Sequence, residues 1–243
     1  MGRTKSFYDL RDALHLEGCP ICRLKAVFVD QALDGLIYEN VNDPVLRARI
    51  RAARGFCHEH SWGLLRHGAA LGSAIIMRDV LREVLRTMDD GRFKALPIMS
   101  LGRLQEALTP QQPRAATAEL VSQLGPQETC PMCVSASDME EGCLAALREN
   151  LLGDDGLLDL YSQSDGLCLP HFRQALSRIG DEAVFTALVG AQQGIWRRLE
   201  DQLSESIRKS DYRFSEEELG EEAGSWLRGI AAIAGARVRI GRM

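Results

Sequence analysis

The residues able to do chemistry in this chain are mainly its cysteines, and their spacing is regular. Cys19-Pro20-Ile21-Cys22 is followed, after 34 intervening residues, by Cys57-His58-Glu59-His60. Cys130-Pro131-Met132-Cys133 is followed, after the same 34, by Cys168-Leu169-Pro170-His171. Every motif position recurs at an offset of 111: 19 with 130, 22 with 133, 57 with 168 and 60 with 171. The same offset pairs Glu17 with Glu128, Gly55 with Gly166 and Phe56 with Leu167. Six of the seven cysteines and two of the five histidines therefore belong to one duplicated pattern, C-P-x-C…G-[FL]-C-x-x-H.

These residue types at this spacing point to metal ligation. A C-x-x-C turn aims two thiolates at one ion, and Pro20 or Pro131 stiffens it by fixing φ. A C-x-x-H pair at i and i+3 falls on one face of a helical turn. Gly55 and Gly166 suit the left-handed position that ends a preceding helix. Each C-x-x-H then opens a new helix, where free N–H groups favour thiolates. The expected ligands are Cys19, Cys22, Cys57 and His60 in the first copy, and Cys130, Cys133, Cys168 and His171 in the second. Each Cys3His set closes a tetrahedron suited to Zn(II), two ions per chain, with iron–sulfur clusters as the alternative.

The remaining candidates are weaker. Cys143 aligns with Ala32 and lies at helical spacing with Met139 and Leu147, the signature of a core thiol. His58 aligns with Leu169 and Glu59 with Pro170, so neither belongs to the repeated set. His58-Glu59-His60 does not meet the H-E-x-x-H spacing of a catalytic zinc helix. His15 and His67 have no repeated partner. No residue is singled out as catalytic.

The elements that must hold these ligands read as helices almost throughout, an all-α fold of two pseudo-repeated halves packed together. Phe7, Leu10, Leu14 and Leu16 form a short first stripe. Leu24, Val27, Phe28, Ala32, Leu33, Leu36 and Ile37 follow at steps of three and four. Asn42-Asp43-Pro44 reads as a turn and cap before a short Arg-rich helix. The first C-x-x-H helix carries Trp62, Leu64 and Leu65. A longer one from Ile75 turns Met77, Val80, Leu81, Val84, Leu85 and Met88 inward. In the second copy Met139, Cys143, Leu144, Leu147 and Leu151 replace the first long stripe, with Asp154-Asp155-Gly156 as the turn. Leu188, Ile195, Trp196 and Leu199 match Met77, Val84, Leu85 and Met88.

The expected organisation is a first helical repeat over 1–95 and a connecting segment over 96–126, then a second repeat over 127–203. That connection holds the breakers Leu96-Pro97 and Thr109–Pro113 and a helix from Ala115 to Leu124. Residues 204–243 form an acidic segment and an amphipathic helix with Trp226, Leu227, Ile230, Ile233 and Ala234, read as a cap on the core. Its tail carries Arg237, Arg239 and Arg242. Residues 44–103 hold eleven Lys and Arg against five acids, and Arg47, Arg51 and Arg54 share a helix face. That stripe could meet a phosphate, but the favoured reading pairs it with the chain's own acids at 200–222.

The 243 residues, 45% hydrophobic and 26% charged, are enough to bury a core unaided. No run is long enough for a membrane span, and the first residues lack a secretory layout. A net charge of -5 argues against general nucleic-acid binding. Seven cysteines without an export signal fit a reducing cytoplasm, where thiols bind metals more often than they pair.

The stretches Gly18-Cys19-Pro20-Ile21-Cys22, Asn42-Asp43-Pro44 with Arg47, and Arg54-Gly55-Phe56-Cys57 with His60 resemble a bacterial family catalogued as a domain of unknown function. So do the second Cys-Pro-x-Cys and Gly166-Leu167-Cys168-Leu169-Pro170-His171. The resemblance covers nearly the whole chain and implies a bacterial, cytoplasmic protein with two metal-type motifs. It implies no activity. The second copy lacks the Asn-Asp-Pro turn and the Arg face, so any role for those belongs to the first half. The resulting expectation is a non-enzymatic metal-binding protein acting as a scaffold or interaction module for another protein. The alternative is a redox protein built on iron–sulfur clusters or a zinc-thiolate oxidation switch.

Overall fold

A computed structural model describes residues 3–91, 117–153, 156–214 and 216–236. Among them there are α-helices, two short 3-10 turns and no strand. The helices are α1 (Lys5–Leu14), α2 (Pro20–Tyr38), α3 (Pro44–Ala52), α4 (His58–Trp62), α5 (Ala70–Asp90) and α6 (Ala118–Leu124). They continue with α7 (Pro131–Asn150), α8 (Leu158–Gln163), α9 (Leu169–Leu176), α10 (Glu182–Lys209) and α11 (Ser225–Ala234). None is long and apolar enough to cross a membrane. The expected turns at Leu96-Pro97, Thr109–Pro113 and Asp154-Asp155 lie outside the described residues, as does the Arg237, Arg239 and Arg242 tail.

The described residues fall into two compact units. One comprises those of Met1–Val29 and Ala136–Arg239, the other those of Asp30–Ser135. The division passes through α2 and α7, so each long helix opens in one unit and ends in the other.

In the first unit, Phe7, Leu10 and Leu14 pack with Ile21, Leu144, Leu147, Leu151, Tyr161, Leu167 and Leu188 around one core. Cys143 is buried there, its Sγ 3.6 Å from Met139 Sδ, as a core thiol should be. Apolar surroundings, with Asp9 and Glu140 adding to the effect, push its thiol up to about 11. Leu16 is exposed instead, because α1 has ended two residues before it.

Helix α10 sets the position of the second C-x-x-H. The side chain of Gln192, 1% exposed, accepts from the Tyr161 hydroxyl and, at 3.0 Å, from the backbone N–H of Leu167. Those bonds satisfy buried polar groups just ahead of Cys168. Gly166 makes the approach possible, since its φ is +65° and a Cβ there would lie 2.8 Å from Ile195 Cδ1 and 2.9 Å from Gln192 Oε1.

In the second unit, Leu33, Leu36, Ile37, Ile50, Leu64, Ile76 and Val80 are buried. Asp43 caps α3 through Leu46 N at 2.7 Å with Pro44 at the first helical position, as the Asn-Asp-Pro turn predicts. Arg66 ties the turn after α4 to α2, bonding Asp30 and Asp34 at 3.0 and 2.5 Å from a nearly buried guanidinium.

Three apolar stripes differ from the periodicity. On α2 Val27 is exposed and Val29 buried in its place, while Leu33, Leu36 and Ile37 are buried as the periodicity predicts. On α5 only Gly72, Ile76 and Val80 are buried, while Leu81, Leu85 and Met88 are more than half exposed. Helix α5 meets α2 at Gly72, where a Cβ would lie 2.7 Å from Ile37 Cγ2. At the end of α4 and just beyond it, Leu64 is buried but Trp62 and Leu65 are exposed.

The Arg stripe also finds different partners from those expected. Arg47 and Arg51 bond Asp79 at 3.1 and 2.6 Å, and Arg54 reaches Glu83 at 3.9 Å and Gln123 O. Asp79 and Glu83 are one turn apart on α5, so the stripe pairs with a nearer acidic face than the 200–222 segment. That segment pairs locally, Arg208 with Glu205 and Glu217, and Lys209 with Glu222.

Gly166→Ala should cost about 2–4 kcal/mol, a left-handed backbone penalty plus overpacking against α10. Gly55→Ala has the same backbone problem at φ +101° but only Val80 at 3.9 Å, and should cost about 1–2 kcal/mol. Urea unfolding of the two variants beside the parent chain measures the difference.

Candidate metal centres

Both halves of the motif adopt one local geometry. Cys57 and Cys168 are the N-caps of α4 and α9. Cys19 and Cys130 hold the equivalent place before α2 and α7, each accepting the first helical N–H, from Arg23 and Val134. Three residues on come Cys22, Cys133, His60 and His171, which share a face with the cap residue. A C-x-x-C and a C-x-x-H are thus the same device: two side chains projecting from the first turn of a helix. Pro20 and Pro131 begin their helices, where a missing N–H is harmless, and Gly55 and Gly166 deliver the chain with positive φ.

The structure gathers all eight of these residues, but not by copy. Cys19, Cys22, Cys168 and His171 form one cluster, and Cys57, His60, Cys130 and Cys133 the other, with the four donor atoms of each within 4.8 Å of one another. The expectation that each copy supplies its own Cys3His set is therefore corrected, since every cluster takes its C-x-x-C from one copy and its C-x-x-H from the other.

Each cluster lies wholly within one unit. In the first, His171 Nδ1 is 3.4 Å from the sulfurs of Cys19 and Cys22 and 3.1 Å from that of Cys168. The Cys22 and Cys168 sulfurs are 3.7 Å apart. In the second, His60 Nδ1 is 3.2, 3.6 and 3.4 Å from Cys57, Cys130 and Cys133, and the Cys57 and Cys133 sulfurs are 3.6 Å apart. None of these cysteines is in a disulfide. Donors around one tetrahedral ion at zinc's bond lengths would be about 3.8 Å apart between sulfurs and about 3.6 Å between sulfur and nitrogen. The donor sets fit a single small cation.

The electrostatics show the same demand for positive charge. Burial works against a charged His171, yet its bonds to Cys168, Cys22 and Glu140 outweigh that and push it up to about 11. Hydrogen bonds from Cys168 and Cys19 hold the Cys22 thiol far below its ordinary range, while Cys19 is driven up by Cys168 and Cys22. Negative sulfurs this close cannot all ionise unless a cation sits among them. In the second cluster burial opposes ionisation of Cys130, but His60 and the backbone N–H groups of Cys57, Cys133 and Met132 bring it down to about 6. Burial and then the neighbouring Cys57 push Cys133 up to about 12.

Beyond these eight residues, others that the motif did not reveal hold the first cluster. Glu140 Oε1 meets His171 Nε2 at 3.2 Å and Lys25 Nζ at 2.9 Å. Burial acts against the Glu140 carboxylate, but His171 and Lys25 keep it below its usual range. Such a carboxylate orients a ligating histidine and raises its basicity. Its sequence signal was the seven-residue step from Cys133 along α7, two turns on the same face. Asp165 accepts the Gly18 N–H at 2.6 Å and so ties the turn before α9 to the start of α2. In the second unit Gln127 N bonds Ala52 O at 2.8 Å and joins the approaches to α7 and α4. His58 and Glu59 are exposed and belong to neither cluster.

Comparison with known proteins adds relatives without an activity. A family described as "Family of unknown function (DUF6062)" matches residues 7–239. An uncharacterized 23.9 kDa protein from the xynA 3' region of Caldicellulosiruptor sp. (strain Rt8B.4) is 23% identical over 220 residues, 90% of this chain and 96% of its own. No solved structure matches.

Paired serine variants read the partition directly. Cys22→Ser with Cys168→Ser should remove one metal equivalent, whereas Cys22→Ser with Cys57→Ser should remove both. Elemental analysis of the folded variants distinguishes this from a copy-internal arrangement, which gives the reverse.

Proposed function

Because the chain belongs to the DUF6062 family of unknown function, we propose its role from its own sites: a non-enzymatic protein whose two Cys3His clusters each hold one zinc ion as a cross-link. The observation that carries this reading is the tetrahedral spacing of the donors, 3.1–3.7 Å in both clusters. Three sulfurs and an imidazole suit Zn(II), and four protein ligands leave no open position for a substrate or water. Iron–sulfur clusters spread their cysteines over different iron atoms, which holds the sulfurs farther apart than donors on one ion. Zinc is accordingly favoured.

The free thiols support a reducing cytoplasm as the site of action. The duplicated motif supports an origin of the fold in two repeated helical halves. A scaffold or interaction role is supported by α11, which was expected to cap the core. Its Ser225 is buried, but Trp226, Leu227, Ile230 and Ile233 are each more than half exposed. Trp226, Ile230 and Ile233, with Trp196, Leu199 and Leu203 of α10, border an apolar groove of about 480 Å³. Contiguous apolar surface of this kind commonly marks a protein contact.

Chain purified without oxygen should carry about two zinc ions and no visible colour. A strong chelator should lower its melting midpoint by roughly 10 °C or more, since metal binding at such sites is folding free energy. Iron with acid-labile sulfide and a brown spectrum would overturn the assignment.

A further inference from the structure

The two clusters share a donor set and differ in everything around it. In the first, all four residues are buried. Its histidine is held by Glu140 and Lys25, and the end of α11 closes over its sulfurs. A Cβ at Gly235 would lie 3.6 Å from Cys22 Sγ and 3.8 Å from Cys168 Sγ, and Ala236 supplies a backbone hydrogen bond to Cys22. In the second cluster Cys57 and Cys133 are only partly buried. An open cavity of about 410 Å³, lined by Phe56, Cys57, Gln127, Glu128 and Cys130 among others, leads to it.

The second histidine also lacks its support. Among the described residues no acceptor bonds His60 Nε2. The 111-residue offset places Val29 where Glu140 stands and Ala136 where Lys25 stands, and neither side chain can do that work. Losing such an outer carboxylate typically weakens metal binding 10–100-fold.

Resting on the zinc reading above, we propose that the second cluster is an oxidative switch: a peroxide oxidises Cys57, which closes a disulfide with Cys133 and releases the metal. Cys57 is the point of attack because it is partly exposed and lines the cavity. Cys133 resolves because its sulfur is 3.6 Å away, while Cys130 is buried. The Cys57 thiolate attacks one peroxide oxygen, the O–O bond breaks, and hydroxide leaves a sulfenic acid behind. The Cys133 thiolate then attacks that sulfur, the S–S bond forms, and a second hydroxide departs. Two electrons pass from the sulfur pair to the peroxide, and two protons from solvent convert both hydroxides to water. The ion, left with Cys130 and His60, leaves as the aqua ion. The first cluster, covered and carboxylate-braced, stays closed.

The test uses the intact zinc-loaded chain with a coloured zinc chelator as the reporter. Without oxidant, zinc should leave in two phases, one equivalent at least 10-fold faster than the other. Substoichiometric hydrogen peroxide should release one equivalent with the loss of two thiols, reversed by dithiothreitol and zinc. Peptide mapping of the oxidised wild-type chain should find Cys57 joined to Cys133. Glu140→Val should speed the slow phase and leave the fast one unchanged. Release of both ions at one rate, or a disulfide among Cys19, Cys22 and Cys168, overturns the proposal while leaving two zinc sites standing. A chain that carries no zinc before oxidation instead overturns the zinc reading, and the switch with it.

Discussion

Three cysteine sulfurs and an imidazole nitrogen, held 3.1–3.7 Å apart at two converging helix starts, are the constraint on which this fold turns. Sulfurs at that spacing repel as thiolates, and a cation among them would relieve that repulsion. The helix starts lessen the problem before any ion arrives. Cys130 accepts from three backbone N–H groups, and the positive ends of α7 and α4 both face the sulfurs. The cap-and-third-residue geometry is cheap to encode, since one turn of helix presents both donors. Two such turns meeting are a complete ligand set.

That these eight residues gather was legible in the sequence, because a 34-residue spacing occurring twice points to a shared geometry. Their grouping was not. Each C-x-x-C has the same local surroundings whichever C-x-x-H it faces, so repetition alone cannot choose between sequential and exchanged pairing. What decides is tertiary packing that no motif encodes, seen in the bonds that join the exchanged approaches, Gly18 to Asp165 and Gln127 to Ala52. The all-α class followed from periodicity, and so did most of the inward face of α2, but α5 leaves Leu81, Leu85 and Met88 exposed. At its start Gly72 lets α5 lie against Ile37, a close approach that an apolar count does not register. The Arg stripe likewise read correctly as a face and wrongly as to its partner, because Asp79 and Glu83 lie on a neighbouring helix that sequence distance does not reveal.

Exchange also changes what each link constrains. Cys22 and Cys168 are 146 residues apart, and Cys130 and His60 are 70 apart. Closing loops of that size from the unfolded chain corresponds to about 5 and about 4 kcal/mol on the chain-entropy estimate, against slightly less for copy-internal loops. The gain is modest. More consequential is that the second loop lies entirely inside the first, whereas copy-internal links would be independent.

Nesting gives the two sites different standing. Closing the inner link first shortens the free chain between Cys22 and Cys168, so the outer link then costs less entropy to form. By the same cycle the outer link lowers the cost of the inner one by an equal amount, since the total does not depend on the order of closing. The braced and covered cluster is thus the outer one, whose loss would free most of the chain, and the sparsely supported cluster is the inner one. Opening the inner site releases only residues that both lie in the second unit and return to it through a 70-residue loop. Glu140 thus braces the histidine of the cluster that closes the larger loop, whereas the 111-residue offset places Val29 at the corresponding position beside the smaller one.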